Sequence, residues 1–189
     1  MSAATRATML AIDTATDIAS VAVSSGERTV ARTMRGSRQH AAQILPLVQE
    51  VFSVANVSLQ DIKRIIVGDG PGSFTGLRIG WAAAKGLAHE RQLPLIAIPS
   101  LLGAAHAAGV NVVAACYDAL RGQVFGAVYE FSDDSVTALV SPGVFTIPEL
   151  DAITPWDPAL AVGDGAERYR DAVQAWTGRA PVGLDAQPP

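Results

Sequence analysis

Four residues, VGDG, occur twice in the chain, at 67–70 and at 162–165. The pattern around each copy is the same. In the first half an apolar run, Ala7 to Thr14, carries Asp13 near its end, and a short polar turn leads to a second run, Ile18 to Ser25. Gly26 and Glu27 turn the chain into a third, Arg28 to Met34. Apolar residues at Ile44, Leu45, Val48, Val51 and Phe52 then follow helical spacing over His40 to Val54, with Ser37 as an N-cap and Pro46 predicting a kink. Lys63 to Gly68 predicts a strand ending in the first VGDG, Thr75 to Glu90 a helix, Leu95 to Ile98 a strand, and Ser100 to Ala108 a short helix. The second half repeats the order. Strands are predicted at Val112 to Tyr117, followed by Asp118, then at Val124 to Phe131 and Val136 to Val140. A helix near Ile147 to Ala152, a strand at Leu160 to Val162 ending in the second VGDG, and a helix over Ala166 to Trp176 complete it. Such a repeat restricts the chain to a duplicated α/β unit with helix-covered sheets. The expected lobes are 1–108 and a shortened 109–189.

Bulk chemistry removes several functions. Net charge is −4, only Lys63 and Lys85 are lysines, and no cluster of Lys and Arg is visible. A protein that grips nucleic acid alone needs a basic face, so RNA is expected to reach this chain only through other subunits. Cys116 is the only cysteine and lies in the apolar run NVVAACY, which suits a small core side chain and leaves no disulfide or thiolate metal site. No run is long enough to span a bilayer, and the N-terminus lacks the build of a signal peptide, so the cytoplasm is the expected location.

Residues 65–80, IIVGDGPGSFTGLRIG, have the layout of a phosphate loop: apolar strand, glycine-rich turn, helix start. The lysine of a Walker loop is missing, and Thr75 stands where G-x-G-x-x-G needs its third glycine. Two readings stay open. The loop is a sharp corner with Ser73 or Thr75 capping the helix. Alternatively, Asp13, Gly70, Gly72 and Ser73 hold a nucleotide or another anion at the helix N-terminus. Asp13 and Asp118 fall at matching first-strand ends, and an Asx turn accounts for Asp13 equally well. Past the loop, Gly76, Gly80 and Ala84 make a stripe that admits a close neighbour, either the chain's own elements or a helix of another chain. Trp81 lies on a different face. His40, His89 and His106 are far apart and read as ordinary histidines.

The segments LAIDTATDIASVAV, HAAQILPLV and VGDGPGSFTGLRIGWAAAKGLA resemble the bacterial TsaB family, also called YeaZ, over about residues 9–130. The resemblance implies the actin, Hsp70 and sugar-kinase (ASKHA) fold. It also implies a non-catalytic role beside a related catalytic subunit, TsaD, and an ATPase, TsaE, which together transfer threonylcarbamoyl to N6 of adenosine 37 in tRNAs reading A-starting codons. TsaD-type chains carry a metal-binding H-x-x-x-H pair; the equivalent positions here are Ser100 and Ala104, which supply no suitable ligand. No cofactor is therefore expected on this chain alone, with ATP, magnesium and a metal left to the partners. Family members join through the two helices, which makes Leu45, Val48, Phe52, Leu77 and Trp81 the expected interface residues, with a homodimer possible in isolation. Arg78 pairs either within its helix or across the interface. Members commonly continue past the point where this sequence stops.

Two rivals remain. Asp13, Asp118 and the paired VGDG turns suit an actin-like ATP-dependent phosphotransferase. A peptidase finds no support, because H-E-x-x-H, G-x-S-x-G and an oriented Cys/His pair are all missing.

Overall fold

A computed structural model describes residues 7–26, 28–36, 39–133 and 135–184. The chain divides into two compact units after Ile98. In the first unit β1 (Met9–Asp13), β2 (Ile18–Ser25) and β3 (Arg28–Arg35) form an antiparallel meander. Helix α1 (His40–Ala55) follows, then β4 (Arg64–Gly68) parallel to β1, helix α2 (Phe74–Arg91), and β5 (Leu95–Ile98) parallel to β4. The sheet order is β3-β2-β1-β4-β5.

Alternation decides which face is buried. Leu10 and Ile12 of β1, and Val21 and Val23 of β2, point to one side, where they meet Ile44, Val48 and Val51 of α1 and Ala84 of α2. Pro46 does not interrupt α1. Both long helices end on a left-handed residue, Asn56 and Gln92, whose N–H groups close the last turn. Ser37 lies outside the described residues; the residue preceding α1 is Gln39, which makes no side-chain cap.

The second unit contains α3 (Ser100–Ala107), β6 (Val112–Leu120), β7 (Gln123–Ser132), β8 (Ser135–Phe145), α4 (Ile147–Ile153), β9 (Leu160–Val162), α5 (Asp164–Arg168) and α6 (Arg170–Thr177). Its sheet order is β8-β7-β6-β9, with β9 parallel to β6. Val182 bridges Val162 in parallel, its N–H donating to Ala161 and its carbonyl accepting from Gly163. A single residue thus stands where β5 stands in the first unit. Cys116, Val124, Val128 and Val140 face Leu150 and Trp176 on one side of this sheet. On the other, the Tyr117 hydroxyl donates to the Ser100 carbonyl at 3.0 Å. Both faces are therefore covered.

Three expectations change. The helix Ser100–Ala107 packs on β6 and β7 and belongs to the second unit, so the division falls before it and not at 108/109. The predicted helix 166–176 is two helices meeting at Tyr169. The strand expected to stop at Val140 runs to Phe145 through Pro142, which is tolerated because β8 is an edge strand.

Helix α4 starts with a capping box. The Glu149 carboxylate accepts from the Thr146 N–H at 2.8 Å and from its hydroxyl at 2.9 Å, while the Glu149 N–H donates to the Thr146 hydroxyl. The backbone bond, then the hydroxyl bond, hold the Glu149 carboxyl below its ordinary 4.5. A folded pKa below the unfolded one adds stability above the unfolded pKa, and this is lost as pH falls through the folded value. Urea unfolding between about pH 5 and 3 should show Glu149→Gln losing stability with falling pH less steeply than the wild type. Equal slopes would mean that the box is not formed in solution.

Candidate functional site

The glycine corner is where sequence and geometry meet. Strand β1 stops at Asp13, whose Oδ1 accepts from the Ala15 N–H at 2.8 Å in an Asx turn. The turn pushes the Thr14–Ala15 backbone toward α2. A Cβ at Gly72 would overlap the Ala15 carbonyl oxygen, and one at Gly76 the Thr14 carbonyl oxygen. At Gly80 it would overlap the Thr14 hydroxyl. The small-residue stripe is thus packed on the chain's own β1–β2 connection. Hydrogen bonds complete the contact: the Ser73 N–H donates to the Ala15 carbonyl at 2.6 Å, and the buried Thr14 hydroxyl to the Gly76 carbonyl at 2.7 Å.

Viewed as an anion site, the loop has its donors committed on this side. The Ser73 N–H is used by Ala15, and the Gly76 N–H donates to the Ser73 hydroxyl in an N-cap. The nearest groups are carbonyl oxygens, which repel phosphate. Gly70 has φ +92°, and Leu77 Cδ1 lies 2.9 Å from where its Cβ would be. A nucleotide phosphate does not fit between Gly72 or Gly76 and β1.

The second VGDG packs differently: its own glycines make the close approach, whereas in the first copy Gly70 meets Leu77 and the approach falls to Gly72 and Gly76 beyond it. Gly163, at φ +112°, and Gly165 lie against the backbone of Cys116 and Tyr117. The register shows a further difference. Ile12 pairs with Val67, and Ala115 with Val162, so the counterpart of Asp13 is Cys116, and Asp118 stands farther along. The two aspartates do not occupy matching strand ends. The reason is the hairpin: Arg121 and Gly122, both at positive φ, make a tight turn that lets β6 run on to Leu120. Asp118 there accepts from Leu120 N–H, from Arg168 at 2.8 Å and from the Tyr169 hydroxyl at 3.5 Å. Asp164 accepts from the Asp118 and Gly165 N–H groups. Burial first, and the Asp118 charge in addition, push the Asp164 carboxyl up.

The expected interface residues separate by burial. Leu45 is 49% exposed, while Val48 is 3% exposed and belongs to the core. Phe52 and Trp81 are half-buried against that core, and Leu77 is half-buried beside Gly70. Val48 therefore presents nothing to a partner, because its position on α1 points at β2 and β3. Phe74, at 68% exposure, has the most exposed large apolar side chain described. Sequence reading passed over it as part of the glycine loop, although Phe74, Leu77 and Trp81 share a helix face by spacing alone. Arg78 stacks within its own helix, its guanidinium 3.8 Å from the Phe74 ring centroid; Lys85 lies over Trp81 at 5.1 Å.

Remaining candidates have structural places. Ser100 and Ala104 are buried on α3 and bring no imidazole, thiolate or carboxylate, so the TsaD-type metal does not fit that pair. Among the described residues no three His, Cys, Asp or Glu side chains gather to hold a metal. His40 is fully buried and its Nε2 donates to the Asp17 carbonyl at 3.2 Å. Cys116 is buried, and burial pushes its thiol up to about 12. No described helix is long and apolar enough to cross a membrane.

An antiparallel meander, a parallel strand reached through a helix, and a glycine turn seated on the first strand, all repeated once, define the actin-like ASKHA class. The ethanolamine utilization protein EutJ of Carboxydothermus hydrogenoformans shares this fold at TM-score 0.51 and 14% identity, covering 94% of this chain and 85% of that one. Residues 33–168 match the family described as TsaD, tRNA N6-adenosine threonylcarbamoyltransferase. The tRNA threonylcarbamoyladenosine biosynthesis protein TsaB of Escherichia coli is 39% identical over 132 residues, 68% of this chain and 57% of that protein. The crystal structure of YeaZ from Pseudomonas aeruginosa superposes at TM-score 0.78 with 31% identity, covering 96% of this chain and 85% of that one. The chain belongs to the TsaB (YeaZ) family. It spans just over half the length of the Escherichia coli relative.

Two substitutions test the glycine corner. Gly76→Ala drives a methyl into the Thr14 carbonyl and should destabilise by about 3 kcal/mol. Gly86→Ala, on the same helix with open space around it, should stabilise by up to about 1 kcal/mol. Thermal unfolding of both variants checks the pair; similar small effects would mean that α2 does not rest on Thr14. Asp164→Asn tests the second corner. A raised folded pKa means that the ionised carboxylate opposes folding, so the variant should be more stable than wild type near neutrality. That advantage should shrink as pH falls through the folded pKa and Asp164 itself takes up a proton; a constant difference across pH would contradict the burial account.

Proposed function

We propose that this chain is a non-catalytic assembly subunit of the machinery that makes threonylcarbamoyladenosine at position 37 of tRNAs reading A-starting codons. In this role it pairs with a TsaD-like paralogue that carries the catalytic site and supports a TsaE-like ATPase. The observation that carries the reading is the glycine corner. A loop with the layout of a nucleotide cradle is seated on Thr14 and Ala15: its Ser73 amide bonds the Ala15 carbonyl, its Gly76 amide is spent on the Ser73 cap, and the Gly76 carbonyl accepts from Thr14. Seated this way, the loop fixes α2 with Phe74 and Trp81 on the side away from the glycines. The names of the relatives support the pathway, and the TsaD family match supports descent from a common lobe. ATP, magnesium and the metal belong, on this reading, to the partner subunits, and tRNA is met only in the complex.

Related lobes tend to meet through corresponding surfaces, and the α1/α2 face offers Leu45 and Phe74 exposed, with Leu77 and Trp81 beside them. Leu45→Glu should abolish association with the paralogue of the same organism while leaving the melting temperature within about 2 °C of wild type, since surface changes stay near 0.5 kcal/mol. Light scattering after size exclusion reads the complex directly. Wild-type affinity in the variant would refute the assignment of this face. Magnesium–ATP titration addresses the phosphotransferase rival: heat from the isolated chain, lost in Asp13→Ala, would support that rival instead.

A further inference from the structure

The exposed side of α2 carries a repeated pairing of cation over ring, Arg78 on Phe74 and Lys85 on Trp81, each one helical turn apart. Stacking fixes where the charges stand. The Arg78 guanidinium carbon lies 3.8 Å from the Phe74 centroid, and the side chain is exposed. Among the described residues neither Arg78 nor Lys85 has a carboxylate partner, unlike the cations of Arg32–Glu50, Arg168–Asp118 and Arg170–Glu167. The nearest acidic residues in sequence are Asp69, before the helix, and Glu90. From Phe74 to Ala88 helix α2 has no Asp or Glu, and Glu90 follows only in its last turn. Glu50, the one acidic residue of α1, is bonded to Arg32 at 2.7 Å. A chain of net charge −4 thus presents two cations without described ion-pair partners beside exposed apolar side chains of one helix.

We infer that this face selects its partner by charge: it receives an apolar helical surface with Asp or Glu placed opposite Arg78 and Lys85, in preference to a second copy of this chain. Through the same helices a second copy would bring its own Arg78 and Lys85, and from α1 an already paired Glu50. Cations buried without partners oppose association, and like charges brought together exclude the wrong partner. An acidic helical surface gains both the apolar contact with Phe74 and Trp81 and charge-assisted bonds to a preset guanidinium. The ladder is short and interleaved with large apolar side chains, which fits a protein helix better than a nucleic-acid backbone. This inference rests on the pairing proposed above, and it adds the chemistry of the partner.

The test measures the affinity of the full chain for the paralogue at about 50 mM and about 500 mM salt, for wild type, Arg78→Glu/Lys85→Glu, Arg78→Gln/Lys85→Gln and Leu45→Glu, each checked for its melting temperature. Charge reversal should weaken pairing at least about tenfold at low salt, neutralisation by less, and high salt should narrow both differences. The reversed variant mixed with wild type should self-associate more tightly than wild type alone. Reversal without effect on paralogue affinity, while Leu45→Glu abolishes it, overturns the charge selection and leaves the pairing intact. Failure of the mixture to gain affinity also overturns it. Wild-type affinity in Leu45→Glu, or no complex at all, removes the pairing and this inference with it. Labelled tRNA titrated at low salt is expected to show no binding to the isolated chain; binding lost on reversal would make the face an RNA site instead.

Discussion

The contact between the Thr14–Ala15 backbone and the glycines of α2 is what the first unit depends on. Carbonyl oxygens can approach this closely only where side chains are missing: Gly72, just before α2, admits the Ala15 carbonyl and Gly76 the Thr14 carbonyl, while Gly80 makes room for the Thr14 hydroxyl. The contact fixes three things together. It ends β1 at Asp13, it seats α2 across β1 and β4, and it orients the helix about its own axis. That last consequence reaches function. With the glycines turned inward, Phe74, Arg78 and Lys85 are turned outward. The corner and the candidate interface are two sides of one helix.

Comparison of the two units shows how one plan serves different ends. Both use glycine for backbone-to-backbone approach, Gly72 and Gly76 against the residues just past the end of β1 in the first unit, and Gly163 and Gly165 of the second VGDG beside Cys116 and Tyr117 within β6. In the first unit a four-residue connection leaves Thr14 free to bond into α2. In the second the tight Arg121–Gly122 turn prolongs the hairpin, and Asp118 is engaged by Arg168 and Tyr169. The carboxylates expected to match are therefore held in unlike surroundings, one in an Asx turn at a helix seat, the other in an ion pair.

Much of the fold was legible because the strands are short apolar runs bounded by turn residues and the long helices have clear spacing. The 3.6 period of α1 pointed to Ile44 and Val51, which are core, and the apolar runs pointed to β1 and β2, whose alternation in the structure buries Leu10, Ile12, Val21 and Val23. The misses have identifiable causes. Pro142 reads as a strand stop, yet it lies on an edge strand between the Val140 and Gly143 pairs, where the register with β7 shifts and a missing N–H is tolerated. Apolar spacing over 166–176 hides the break at Tyr169. Val48 has the same chemistry as an interface residue, and only its position over β2 and β3 makes it core. Phe74 was hidden by its neighbours, since a glycine-rich context drew attention to the loop and away from the helix face.

Residue chemistry by itself determined the duplication, the absence of a phosphate lysine at 68–80, and the lack of metal donors at Ser100 and Ala104, because these are matters of composition and order along the chain. Tertiary structure decided which neighbour the glycine stripe receives, that Cys116 rather than Asp118 is the counterpart of Asp13, and that Arg78 and Lys85 stand over aromatic rings at the surface. The reason is the same in each case. Spacing places residues on a common face, but which face turns inward depends on backbone contacts between segments far apart in the chain, such as Thr14 with Gly76.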